Sequence, residues 1–138
     1  MAERTYAVRP VGVVSSPLTD RDQAPRQGDE GAPPAWLILN RRMKAAMGGL
    51  QVGAEVIVLT WLDRARRDVL VVHPRGEESR PLQGVFNTRS PDRPNPIGLH
   101  RVRITAIEGT RIAVANLEAL DRTPVLDIKP LLGDVDER

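Results

Sequence analysis

Leu99-His100-Arg101-Val102-Arg103-Ile104-Thr105-Ala106-Ile107, followed by Glu108-Gly109-Thr110 and Arg111-Ile112-Ala113-Val114-Ala115-Asn116-Leu117, decides the fold. Val102, Ile104 and Ala106 share one face while Arg101, Arg103 and Thr105 share the other, the two-residue period of a half-buried strand. Glu108-Gly109-Thr110 reads as a hairpin turn into the second strand. Working outward, strand-like apolar runs recur at Tyr6 to Ser15, Trp36 to Asn40, Glu55 to Leu62, Asp68 to His73 and Val125 to Ile128. Short strands separated by frequent Pro and Gly predict an all-β fold, a small antiparallel β-barrel. Arg41 to Met47, stopped by Gly48-Gly49, carries good helix formers and predicts a two-turn helix against one barrel end, so one or two short helices are expected. Strands do not alternate with long helices, and no G-x-G-x-x-G joins a strand to a helix, which argues against a Rossmann sheet.

The 138 residues read as one domain, 1–138, large enough to bury a core without staples. Cysteine is absent, so disulfides, zinc–thiolate sites and cysteine nucleophiles are excluded. His73 and His100 stand isolated, without a second ligand at metal spacing, so no metal is expected. Ser15, Ser16 and Ser90 lack a G-x-S-x-G context, which leaves a hydrolase triad unsupported. No apolar stretch approaches the roughly 20 residues that span a bilayer, and Met1 to Thr5 is polar, so a cytoplasmic protein with no membrane partner is expected. The net charge is +2 and the pI about 9.6, with lysine only at Lys44 and Lys129. This arginine bias suits phosphate and base contacts, but high-GC codon usage produces it equally well. Tyr6, Trp36, Trp61 and Phe86 are the whole aromatic set, too few for a base-stacking surface.

Gly84 to Leu99 is the segment most loaded with chemistry. Ser90-Pro91, Arg93-Pro94 and Asn95-Pro96 stiffen it, because proline fixes its own φ and pushes the preceding residue to extended geometry. A stiff loop can hold Arg89, Arg93 and Asn95 as preset donors for an anionic or polyhydroxylated ligand. It reads equally as a rigid surface turn with its arginines in water.

The run Arg89-Ser90-Pro91-Asp92-Arg93-Pro94-Asn95-Pro96-Ile97-Gly98-Leu99 resembles the signature of the TsaA/YaeB (TrmO-like) family of tRNA methyltransferases. Pro10 to Pro17, Ala24 to Gly28, Trp61 to Arg64 and Asp121 to Pro130 match the same family in order, so the resemblance covers roughly residues 6 to 130. It implies a β-barrel methyltransferase dependent on S-adenosyl-L-methionine (SAM), a homodimer with sites near the subunit interface, and tRNA as substrate. The implied reaction is N-methylation of threonylcarbamoyladenosine beside the anticodon. Longer relatives carry a further C-terminal region, which leaves open another methyl acceptor. A non-catalytic SAM- or RNA-binding module and a purely structural barrel are the competing classes.

Residue by residue, the resemblance assigns cofactor contacts to Pro25, Arg26, Gln27, Asp63, Arg64, Arg89, Leu99, Asp121, Arg122, Thr123 and Pro124. Arg26 suits a carboxylate or phosphate, and Gln27 offers a donor and an acceptor. Arg93 and Asn95 are expected to line the site or to brace the turn. Asp121 is the candidate catalytic acceptor for the amine's proton, with Asp63 beside it as a second choice. Relatives usually read Asp-Gly-Thr-Pro where this chain has Asp121-Arg122-Thr123-Pro124. If that position needs positive φ, arginine adopts it only at about 1 kcal/mol. Asp127 and Lys129, two apart on a strand, read as an ion pair.

Overall fold

The computed structural model describes residues 3–132; the ends of the expected domain, 1–2 and 133–138, lie outside the described residues. The strands are β1 (Gly12–Ser15), β2 (Ala35–Leu39), β3 (Glu55–Trp61), β4 (Val71–Val72), β5 (Gln83–Gly84), β6 (Ile97–Glu108), β7 (Arg111–Ala115) and β8 (Pro124–Pro130). Six form an antiparallel sheet in the order β1-β2-β7-β6-β3-β8, and β8 pairs back onto β1, so the sheet closes into a barrel. Closure leaves this sheet no free edge to template aggregation. Val14, Leu37, Val58, Val102, Ile104, Ile112, Val114 and Val125 meet inside it. Each such side chain contributes about 1.5–3 kcal/mol on burial.

The β6–β7 hairpin forms around Gly109-Thr110 as its sequence dictates, but with one correction. Register passes from Ile104 opposite Val114 to Ala106 opposite Ala113, leaving Thr105 as a bulge. The extra residue reverses the phase of the strand. Ile107, rather than Ala106, therefore packs against the core.

The expected two-turn helix at Arg41–Met47 is instead a seven-residue 3₁₀ segment. Asn40 caps nothing with its side chain and donates to the carbonyl of Pro10. An uncapped segment this short has little to hold an α-helix together, and buried Met47 pins it to the core. No α-helix occurs among the described residues.

Two apolar runs give less strand than their composition suggests. From Tyr6 to Ser15 only Gly12–Ser15 is strand, and Tyr6 and Val8 are exposed. From Asp68 to His73 only Val71–Val72 pairs, with β5 in a separate two-stranded sheet, and Leu70 and Val71 face solvent.

Candidate functional site

The Pro-rich loop separates its own polar residues into two uses. Arg93 turns back on the loop: Nε donates to Ser90 O at 2.8 Å, and Nη2 donates to Thr88 O at 2.6 Å and to Val85 O. Asn95 accepts from Arg67 Nη2 at 2.9 Å, while Arg67 Nε donates to Pro94 O and its guanidinium lies over the Trp61 ring. Asp92 accepts from Arg21 and from the Arg66 N–H. Burial pushes the Asp92 carboxyl up, but the Arg66 N–H and the Arg21 guanidinium outweigh it and hold the carboxyl below its ordinary value. Arg93 and Asn95 thus brace the loop. Arg89 is exposed and has no hydrogen bond or ion pair among the described residues.

Arg89 stands at a groove of about 520 Å³, a volume suited to a small-molecule ligand. Gln27 enters it from the loop after β1, Leu99 and Arg101 from the outer face of β6, and Asn116 and Glu118 from the segment after β7. The Pro25–Gly28 loop is seated by Gly28. A Cβ there would stand 1.7 Å from Asn116 O and 3.0 Å from Glu118 Oε2, so only glycine allows this approach. Arg26 is exposed and points toward Gly76. The turn after Gly28 is tied down by the Arg75–Glu30 ion pair, whose guanidinium holds the Glu30 carboxyl below its ordinary value. Glu55 also lines the groove but is taken up by Arg101 Nε at 2.6 Å.

Behind the groove lies a polar chain that the sequence reading missed. His100 is 4% exposed; its Nε2 lies 2.7 Å from Thr60 Oγ1 and its Nδ1 lies 2.6 Å from Glu118 Oε1. The signal was present in the strand's alternation, since His100 has the parity of Val102 and Ile104. An inward histidine needs polar partners, because a buried unpaired polar group is costly. Gly98 makes room: a Cβ there would stand 2.3 Å from Thr60 Oγ1 and 2.6 Å from His100 Nε2.

The remaining predicted residues gather elsewhere, around the end of β1. Arg64 donates through both terminal nitrogens to Thr19 O at 2.8 Å. Asp121 Oδ1 accepts from the Ser16 N–H at 3.0 Å, and the Asp121 N–H donates to Leu18 O. Arg122 has φ 70°, so the arginine does adopt the conformation that glycine would reach freely, with its side chain 91% exposed. Thr123 is buried, Pro124 opens β8 opposite Val13, and Asp63 is exposed. The Lys129–Asp127 ion pair is present at 3.4 Å. Gln27, Arg89 and Leu99 thus meet at the groove with Pro25 and Arg26 beside them in the chain. Asp63, Arg64 and Asp121 to Pro124 do not line it.

Among the described residues no group of three or more His, Cys, Asp or Glu side chains gathers to hold a metal ion, and no helix is long and apolar enough to cross a membrane.

A six-stranded antiparallel sheet with a groove formed by loops and by the outer face of two strands defines a small β domain with one candidate ligand site. The chain belongs to the family of the tRNA-methyltransferase O N-terminal domain, whose model matches residues 13–137. It is 41% identical over 136 residues to the "Probable S-adenosyl-L-methionine-binding protein" of Methanothermobacter thermautotrophicus, covering 99% of this chain and 97% of that one. The S-adenosyl-L-methionine-binding protein of Archaeoglobus fulgidus is 41% identical over 129 residues, covering 94% of this chain and 91% of that one. The crystal structure of TrmO from Pseudomonas aeruginosa superposes with a TM-score of 0.77 at 31% identity, covering 98% of this chain and 60% of that chain. The chain therefore spans about three fifths of the solved TrmO chain but nearly all of these archaeal relatives.

Proposed function

We propose that this protein binds SAM in the groove and is a methyltransferase acting on tRNA, N-methylating threonylcarbamoyladenosine next to the anticodon. The observation that carries this reading is the convergence of Gln27, Arg89 and Leu99, far apart in the chain, on one groove of small-molecule size. The family and the SAM-binding names of its relatives support it.

The donor set fits that cofactor. Leu99 offers apolar surface for a nucleobase, Gln27 reads base or ribose with an amide, and the unpaired Arg89 suits a carboxylate. SAM supplies a methyl group on a sulfonium, a leaving group already activated, so the protein's part is positioning and exclusion of water. The stiff loop holding Arg89 loses little freedom on binding, because Arg93 and Asn95 have fixed it beforehand.

Asp63, Arg64 and Asp121 to Pro124 would reach a groove from a second copy, which is the role we give a cytoplasmic homodimer. Asp121 would then serve as proton acceptor for the amine only across that interface. The names of the archaeal relatives, which speak of SAM binding alone, favour one further reading, a SAM-binding module without turnover on tRNA.

Calorimetry with SAM, followed by nucleoside mass spectrometry of tRNA from a deletion strain, tests both. One SAM site per chain and loss of the N-methylated nucleoside, restored by complementation, are expected. Tight binding with an unchanged nucleoside profile would select the binding module, and no binding at millimolar SAM would reject the whole reading.

A further inference from the structure

Glu118 differs from every other acid at the groove. Glu55 is neutralised by Arg101, and Asp29 is exposed on a surface turn. The Glu118 side chain is 17% exposed and is held from behind through Oε1 by His100, which is held in turn by Thr60. With Glu118 ionised and His100 neutral, Nδ1 donates to the carboxylate and Nε2 accepts the Thr60 hydroxyl proton. One hydrogen arrangement then satisfies the whole chain, and no described buried side-chain polar atom lacks a partner. Oε2 has no hydrogen-bond partner among the described residues, and it lies against Gly28 of the Pro25–Gly28 loop.

A glutamate on a surface loses rotamer freedom when a ligand fixes it. Here that freedom is already gone, because a buried imidazole fixes the carboxylate, in the way hydrogen-bonded partners orient metal ligands. Across the same groove stands Arg89, a cation with no partner among the described residues. A fixed carboxylate with one oxygen left open and a cation without a partner among the described residues, in one small groove, match a zwitterion. Resting on the SAM-binding reading, we infer that Glu118 anchors the ammonium of the cofactor's amino-acid end while Arg89 takes its carboxylate, with His100 and Thr60 as positioning residues.

Calorimetry with SAM, S-adenosylhomocysteine and 5′-methylthioadenosine, which lacks the amino-acid end, tests this without knowledge of the methyl acceptor. Glu118→Gln keeps an acceptor for His100 but loses the charge, and should weaken SAM and S-adenosylhomocysteine ten- to a hundredfold. Methylthioadenosine should bind within about twofold of wild type. His100→Leu should show a smaller loss with the same selectivity, and His100→Asn, whose amide still offers an N–H toward Glu118, should restore most of it. Asp29→Asn is the control and should leave all three ligands unchanged. Equal weakening of all three ligands in Glu118→Gln, or unchanged SAM affinity with the fold intact, would overturn the inference. Failure of wild type to bind any of them would instead reject the SAM reading itself, and this assignment with it.

Discussion

The groove and the turn around Asp121 draw on the same residue types, arginine, carboxylate and glutamine or threonine, yet leave their arginines in opposite states. Arg64 is bonded through both terminal nitrogens, and Arg89 is without a partner among the described residues. At the turn, Arg64, Asp121 and the backbone of Arg122 are committed to Thr19, Ser16 and Val14. At the groove, Arg89 and one oxygen of Glu118 have no partner among the described residues. Satisfied polar groups hold a chain in place; open ones on a rigid support have binding energy to give. The Pro-rich loop repeats this contrast within a few residues. Arg93 is spent on three carbonyls so that Arg89 is left free on a fixed frame.

Striking from behind the groove should have the largest effect. Gly98→Ala drives a methyl group into the Thr60–His100 pair and should destabilise the protein by about 2–3 kcal/mol, read as a lowered urea midpoint with an unchanged m-value. Next come the two arginines of the loop. Arg93→Ala, leaving partly buried carbonyls without their donor, should lower stability by about 1–3 kcal/mol. Arg89→Ala should change stability by less than about 0.5 kcal/mol while weakening SAM roughly ten- to a hundredfold. If the two variants behaved alike in both measurements, the distinction between bracing and open groups would fail.

Asp92 sharpens the comparison through pH. Its folded-state value lies below the ordinary 3.8, so its contribution is fully present above that value. It is lost as pH falls through the lower folded-state value. Acid titration of stability should therefore show a shallower fall for Asp92→Asn than for wild type below about pH 4. The difference should stay under about 1 kcal/mol, because Arg21 is well exposed to solvent. The last effect is a gain. Arg122→Gly releases a non-glycine residue from φ 70° and should raise the melting temperature, by about 0.5–1 kcal/mol of added stability.

Strand positions were legible because alternation is local: Val102, Ile104, Ile112 and Val114 declare their face within a few residues. The bulge at Thr105 was not, because nothing in its neighbours says which residue of a hairpin will go unpaired. The 3₁₀ form of Arg41–Met47 was hidden for a related reason, since helix formers alone do not supply caps. At the site, the resemblance singled out Arg89 and Leu99 and left Arg93 between lining and bracing, while the residue types of the loop alone did not separate Arg89 from Arg93. That difference lies in where the loop's carbonyls point. Glu118 was silent in sequence because its partners, His100 and Thr60, lie 18 and, one bond further, 40 positions apart along the chain.

A crystal structure with S-adenosylhomocysteine bound tests the central claim most directly. The ligand should lie in the groove between Gln27 and Arg89, with its carboxylate on Arg89. A ligand seated on Asp63, Arg64 and Asp121 of a single protomer, with Gln27, Arg89 and Glu118 left untouched, would contradict it.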